Sequence, residues 1–190
     1  VLVTGEDGAP LTVTVPVGTD EVGAQIWRVD VGRVPLFLLD TDRPENDQAR
    51  RWITARLYVG DEETRLAQYT VLGVGGVRAL HALGITPSLV HLNEGHGALA
   101  ALELAGPNAG EERLDAVREQ VIFTTHTPVP AGNDTYPAAD VLAALERWLP
   151  ETGIAPDAFL ALGRTDPGND GEPFGVTQIA LRRARAANGV

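Results

Sequence analysis

The sequence contains no cysteine, no methionine and no lysine; its fifteen basic residues are all arginines. Without thiols it can form neither disulfides nor thiolate metal sites. Without lysine it has no side-chain amine for a Schiff base to a carbonyl or to pyridoxal phosphate. The missing methionine, at position 1 as elsewhere, leads to the expectation of a chain cut from a longer polypeptide. No apolar run approaches the roughly 20 residues that cross a bilayer. Val1-Leu2-Val3-Thr4-Gly5 lacks the basic start and apolar stretch of a secretory signal. Basic charge is scarce as well: 26 acidic residues leave a net charge of −11, which disfavours nucleic acid and anionic membrane surfaces as partners. What is present is an ordinary globular composition over 190 residues, 44% hydrophobic and 22% charged, enough to bury a core. A cytoplasmic protein is expected.

The first 40 residues read as a β-meander of three or four strands. Leu11-Thr12-Val13-Thr14-Val15 alternates apolar and polar, Gly18 marks a turn, and Val22 to Val31 is extended. Gly32-Arg33 turns into Val34 to Leu39, which stops at Asp40-Thr41-Asp42-Arg43-Pro44. From Asp61 the period becomes helical: Leu66, Tyr69, Gly73, Val77, Leu80 and Leu83 share a face, predicting a long helix over 61–83 closed by Gly84. Beyond it, strands (88–92 and 120–124) alternate with helices (97–105, 111–119, 137–149 and 175–187). Pro128 to Asn133 is expected to be a loop, as is the acidic, glycine-rich stretch 166–172. This pattern predicts an α/β fold with a parallel sheet and flanking helices behind an N-terminal meander. Its expected extent is a single partial domain over 1–190, with the meander at 1–40 and the α/β portion at 50–190.

In such a sheet, ligands bind beyond the carboxyl ends of the strands. Two strands end in polar turns that carry histidine: Leu92-Asn93-Glu94-Gly95-His96 and Thr124-Thr125-His126-Thr127. Placed in one sheet, Glu94, His96 and His126 are expected to face one cleft. Asn93, Thr125 and Thr127 add groups that donate and accept hydrogen bonds, which suits a neutral polyhydroxylated ligand. The alternative is structural, with His96 capping its helix and His126 satisfying buried backbone. Gly73-Val74-Gly75-Gly76 is not a nucleotide loop, because Arg78 stands at the third glycine position and the segment lies mid-helix. Close helix packing explains these glycines better, although each lowers helix propensity by roughly 1 kcal/mol. His91, Glu94 and His96 lack metal-site spacing. Asp40 and Asp42 read as turn formers, and the arginines at 182, 183 and 185 as a solvated helix face.

Arg56-Leu57-Tyr58-Val59-Gly60-Asp61, Thr64-Arg65-Leu66-Ala67-Gln68, His91-Leu92-Asn93-Glu94-Gly95-His96 and Phe123-Thr124-Thr125-His126-Thr127-Pro128-Val129-Pro130-Ala131-Gly132 occur in this order. Together they resemble the bacterial α-glucan phosphorylases, the glycogen, starch and maltodextrin phosphorylase family. The likeness runs from about Val22 to Val190. Its last element is Ala187-Asn188-Gly189-Val190, where the family's next helix is expected to begin. The resemblance implies a retaining glycosyltransferase of two Rossmann-like domains (the glycosyltransferase-B architecture), of which this chain is an N-terminal part. It implies transfer of a terminal α-1,4-linked glucosyl unit to phosphate, giving glucose 1-phosphate, with pyridoxal phosphate on a lysine of the C-terminal domain.

By position, the resemblance makes His126 the catalytic-subsite histidine. It makes Asn93, Glu94, His96 and Thr127 substrate contacts, and puts Asp61 in the loop that gates the site. The family's glycine-rich phosphate loop, cofactor lysine and basic phosphate cluster have no counterpart here. The expectation is therefore a segment inactive alone, whose parent takes α-1,4-glucan and phosphate. Such a segment is expected to self-associate through apolar surface that the missing parts would cover. The rival expectations are a stand-alone carbohydrate-binding or assembly module and, third, a small metal-dependent hydrolase.

Overall fold

A computed structural model describes every residue except Tyr58, Pro128, Pro130, Ala131 and Gly132. The N-terminal sheet is antiparallel, in the order β1 (Thr12–Val17), β2 (Asp20–Val31), β3 (Val34–Asp40). Both hairpins close through two residues, Gly18-Thr19 and Gly32-Arg33, with the glycine first and at positive φ (58° and 62°). That is the type II′ pattern, whose twist matches that of the strands. Alternation puts Val13, Val15, Val22, Ala24 and Ile26 on the buried face.

After a short helix α1 (Gln48–Arg51), the predicted long helix is present as α2 (Glu62–Thr70), a π-helical stretch (Val71–Gly75) and α3 (Gly76–Ala82). Asp61 caps its start by accepting from the Thr64 N–H (2.8 Å). Its end is a Schellman motif: Ile85 N–H bonds the Leu80 carbonyl at 2.8 Å, Gly84 N–H bonds that of His81 at 3.0 Å, and Gly84 sits at φ 69°. The glycines at its centre allow close packing, as expected. A Cβ on Gly73 would lie 2.9 Å from Leu99 Cβ and 3.1 Å from Ala100 N; on Gly75 it would lie 2.8 Å from Val15. Gly76 meets nothing. Arg78 ties layers together: Nε meets Glu103 and one terminal nitrogen meets Glu151, both at 2.7 Å, while the other donates to the Thr14 carbonyl. Glu103 also accepts from the buried Trp148 indole (2.7 Å).

The α/β portion carries a three-stranded parallel sheet in the order β4 (Val90–Asn93), β5 (Val121–Thr125), β8 (Ala186–Gly189). Helices α4 (Ala100–Glu103) and α5 (Glu111–Arg118) connect β4 to β5. Between β5 and β8 lie β6 (Thr135–Tyr136), α6 (Ala138–Ala144), α7 (Leu149–Thr152), α8 (Pro156–Leu162), β7 (Phe174–Gly175) and α9 (Val176–Arg183). Trp148, Phe159 and Phe174 form an aromatic core there, with ring centroids 6.4 and 5.1 Å apart along the series.

Several expectations need correction. The helix expected over 137–149 stops at Leu145, because Gly18 holds the Ala144 carbonyl and the Arg147 N–H, and α7 restarts with proline in its first turn. Helix α8 was not foreseen. The last helix ends at Arg183, not 187: Ala184 is extended (φ −104°, ψ 142°) and Ala186–Gly189 pairs with Ile122–Thr125 as a strand. Where a following helix was expected to begin, the chain is therefore β. The arginines there are not simply solvated. Arg182 bonds the carbonyls of Leu162, Arg164 and Thr165, and Arg183 is part-buried, its guanidinium pushed below the ordinary arginine value by that burial. The 166–172 stretch is a largely exposed loop, as expected.

Gly73→Ala is expected to lower unfolding stability by about 1–3 kcal/mol through overpacking. Gly76→Ala, on open helical surface, is expected to raise it by up to about 1 kcal/mol. Urea denaturation of the two variants tests the contrast.

Candidate functional site

Strands β4 and β5 are adjacent and parallel, so the two histidine-bearing turns do emerge side by side. The last ladder bond runs from Glu94 N–H to the Thr124 carbonyl (2.9 Å). There the backbone turns sharply: Glu94 sits at φ 63°, ψ 177°, a region used almost solely by glycine and costing a side-chain-bearing residue about 1–3 kcal/mol. The neighbouring glycine is already committed, since a Cβ on Gly95 would stand 2.8 Å from the Val176 carbonyl carbon and 2.9 Å from Thr177 N. Close approach to the start of α9 thus reserves Gly95 and forces the strained geometry onto Glu94.

That geometry aims the Glu94 carboxylate across to the β5 turn. Oε1 accepts from the His126 backbone N–H (2.5 Å) and the Thr127 hydroxyl (3.3 Å); Oε2 accepts from the Thr125 hydroxyl (3.1 Å). Burial alone would raise its pKa, but these bonds outweigh it and hold the carboxyl below the ordinary glutamate value. The His126 ring lies with Nε2 2.8 Å from Asn93 Oδ1. An amide oxygen only accepts, so Nε2 carries the proton and, in the neutral ring, Nδ1 is left as an acceptor. The structure thus joins Asn93, Glu94, His126 and Thr127 in one cluster.

His96 does not join it, which corrects the expectation of three side chains in one cleft. Past the Gly95 turn its ring packs on Tyr69 (centroids 5.2 Å apart), in a small pocket lined by Leu66, Leu99, Phe174 and Val176. Below it, Asp134 accepts from the Tyr69 hydroxyl and pairs with Arg65. Burial and then Asp134 push the Tyr69 phenol above the ordinary tyrosine range. Asp61 is engaged in capping: Thr64's hydroxyl (2.6 Å) and N–H hold its carboxyl low. The loop expected at 128–133 lies mostly outside the described residues; at its far end Asn133 accepts from Thr177 (2.8 Å).

Sequence reasoning missed a rung beneath the cluster. Thr124 Oγ1 donates to Asn188 Oδ1 on β8 (2.8 Å) and so accepts from His91 Nε2 on β4 (2.7 Å). Its only cue was the polar Asn188 within Ala-Ala-Asn-Gly. Among the described residues, no three His, Asp or Glu side chains gather into a metal-holding group. Asp40 is a turn former, accepting from Gln25, Trp27 and the Asp42 N–H.

No family model matches the chain. A maltodextrin phosphorylase of Thermococcus litoralis is 42% identical to it over 192 residues, and a glycogen phosphorylase of Mycobacterium tuberculosis 40% over 209. These alignments cover 98% and 100% of the chain. Along nearly its whole length the chain is thus similar to maltodextrin and glycogen phosphorylases. A glycogen phosphorylase of Aquifex aeolicus (35% identical, 97% of the chain) extends that likeness. The chain spans about a quarter of the length of these phosphorylases: 22%, 24% and 27%. In fold it is similar to the catalytic domain of starch synthase IV from Arabidopsis thaliana, a structure bound to ADP and acarbose. The TM-score is 0.59 at 16% identity, covering 93% of this chain and 32% of that one. The phosphorylase-like sequence thus resembles in fold about a third of that catalytic domain.

Two outcomes follow for the turn at Glu94. Glu94→Ala and Glu94→Gly both delete the carboxylate, and only glycine relieves the backbone; thermal or urea unfolding should find Glu94→Gly the more stable by about 1 kcal/mol or more. Because the native carboxyl is held low, its contribution is full above the unfolded value near 4.5 and is lost as pH falls through the native value. The stability gap between the parent and Glu94→Gln should therefore be constant near neutrality and shrink in acid, which a pH series of urea melts measures.

Proposed function

We propose that the chain is the sugar-contacting part of the N-terminal domain of an α-1,4-glucan phosphorylase, acting within a longer polypeptide that transfers a terminal glucosyl unit to phosphate. The observation that carries this reading is the cluster of Asn93, Glu94, His126 and Thr127 at the carboxyl ends of two adjacent parallel strands. Its carboxylate, imidazole, amide and hydroxyl suit the mixed donors and acceptors of sugar hydroxyls. Its members include no arginine, so the phosphate would be held by another part of the protein. His126 is assigned the contact to the reacting glucosyl unit, with Asn93, Glu94 and Thr127 beside it. His96 would support the cleft by packing against Tyr69, and Asp61 by capping the helix that follows the gate segment.

Pyridoxal phosphate belongs to this reading as the cofactor of the phosphorylase family. The chain has no lysine to hold it as a Schiff base, so its attachment must lie outside these 190 residues. The chain alone is therefore assigned no phosphorolysis. Among the described residues, no helix is long and apolar enough to cross a membrane. A glucan-consuming enzyme of this kind is placed in the cytoplasm.

Adding maltoheptaose to the isotope-labelled chain is expected to shift the amide resonances of Asn93, Glu94, His126 and Thr127 with millimolar affinity. His126→Ala should abolish those shifts, and glucan plus phosphate should yield no glucose 1-phosphate. Shifts mapping elsewhere, or none, would overturn the sugar assignment. Micromolar glucan binding by the chain alone would favour the stand-alone carbohydrate-binding module instead.

A further inference from the structure

A cavity of about 600 Å³ opens between the end of β3 and helix α1, walled by Asp40, Asp42, Gln48, Arg51, Trp52 and Thr54. Its size falls within the roughly 300–1,000 Å³ of small-molecule sites, and it shares no residue with the Glu94 cluster. Buried bonds fix the backbone beneath it. The Thr41 N–H donates to the Thr54 hydroxyl at 3.0 Å, and the two hydroxyls lie 3.0 Å apart. The buried Asn46 amide donates to the carbonyls of Thr41 (2.7 Å) and Gly23 (2.8 Å) and accepts from the Gly23 N–H (3.0 Å).

On this support stands Trp52, the residue that ends α1. It is 54% exposed, whereas Trp148 in the core is fully buried. Tryptophan is a mostly buried residue, so an indole left in water at the wall of a cavity, on a held backbone, is a stacking surface. The polar groups beside it are only partly engaged. Arg51 Nε and one terminal nitrogen both meet Asp42 Oδ1 at 2.6 Å. Asp42 Oδ2 and the other terminal nitrogen of Arg51 have no partner among the described residues. Asp40 Oδ1 accepts the Asp42 N–H (2.9 Å) and keeps a second lone pair. The exposed Gln48 adds an amide that both donates and accepts.

This combination selects a ligand class. An apolar ligand would strip water from the carboxylates without replacing its hydrogen bonds. An anion would meet two carboxylates and one guanidinium in a chain of net charge −11. A pyranose offers an apolar C–H face to the indole and hydroxyls that both donate and accept around its edge. We infer that the cavity is a second sugar site, which takes about two or three consecutive units of an α-1,4-glucan, one ring on Trp52 and its hydroxyls on Asp42, Arg51 and Gln48. The carbohydrate class follows from the cavity, whereas the α-1,4 linkage rests on the proposed function.

Titrating the isotope-labelled chain with maltoheptaose, while following its three indole N–H signals, tests the inference. The Trp52 signal should move with a dissociation constant on the order of 1 mM, and that of Trp148 should stay. Trp52→Ala should weaken the site about tenfold, read at the Gln48 side-chain amide, and Trp52→Phe by less, both with unchanged circular dichroism. Gln48→Ala, on the exposed start of α1, should weaken it about threefold and serves as the second variant. His126→Ala should leave the Trp52 shift in place. Movement at Trp52 with silent Asn93 and His126 amides supports this site and sinks the cleft reading alone; movement at those amides with a silent Trp52 overturns this site alone. An equal Trp52 shift with cellohexaose, whose linkage is β-1,4, overturns the choice of glucan. A Trp52 signal that moves on concentrating the chain and ignores sugar places a second copy in the cavity and overturns the inference.

Discussion

A single carboxylate organises the site. Glu94 belongs to β4 by its last ladder bond and to the β5 turn by the three groups its side chain accepts. The position of the His126 backbone, and through Asn93 that of its ring, follows from it. The strained backbone at Glu94 has a traceable origin in the neighbouring glycine, which must pass against the first turn of α9. Strain of this kind persists where the surroundings over-determine it, and the bonds to residues 125–127 supply that determination.

Behind the candidate site, the helix from Glu62 to Ala82 acts as a spine between the antiparallel sheet and α4. Its π-helical stretch falls where glycine lets it touch α4 on one side and β1 on the other. Arg78, one turn further on, gathers Thr14, Glu103 and Glu151 around one guanidinium. Since Glu103 also holds the Trp148 indole, one linked set of bonds spans the meander, the long helix and the aromatic core. The meander is thereby fastened to the α/β portion by polar contacts as well as by apolar packing.

Much of this was legible in the residues. Alternation and two glycine turns marked the meander, and the helical period from Leu66 to Leu83 marked the spine. Short apolar runs ending in histidine turns marked β4 and β5. What escaped depends on distant partners. Ala186–Gly189 has no strand propensity of its own and becomes a strand by pairing with β5. The break after Leu145 comes from Gly18, more than a hundred residues earlier in the chain. The direction of His96 escaped because the turn at Glu94 uses a backbone region that side-chain-bearing residues rarely adopt, so neighbouring strand ends did not bring the ring into a shared cleft. The resemblance singled out Asn93, Glu94, His96, His126 and Thr127 together, whereas the fold joins four of them and sets His96 against Tyr69.

The rung of His91, Thr124 and Asn188 has a consequence of its own. Its hydrogen bonds run one way across three parallel strands, beginning at Nε2 of the imidazole. A ring protonated only at Nδ1 would turn a lone pair toward the hydroxyl, which would then donate to it and leave its oxygen facing that of the Asn188 amide. The lacing that holds β8 beside β5 therefore selects one tautomer of His91.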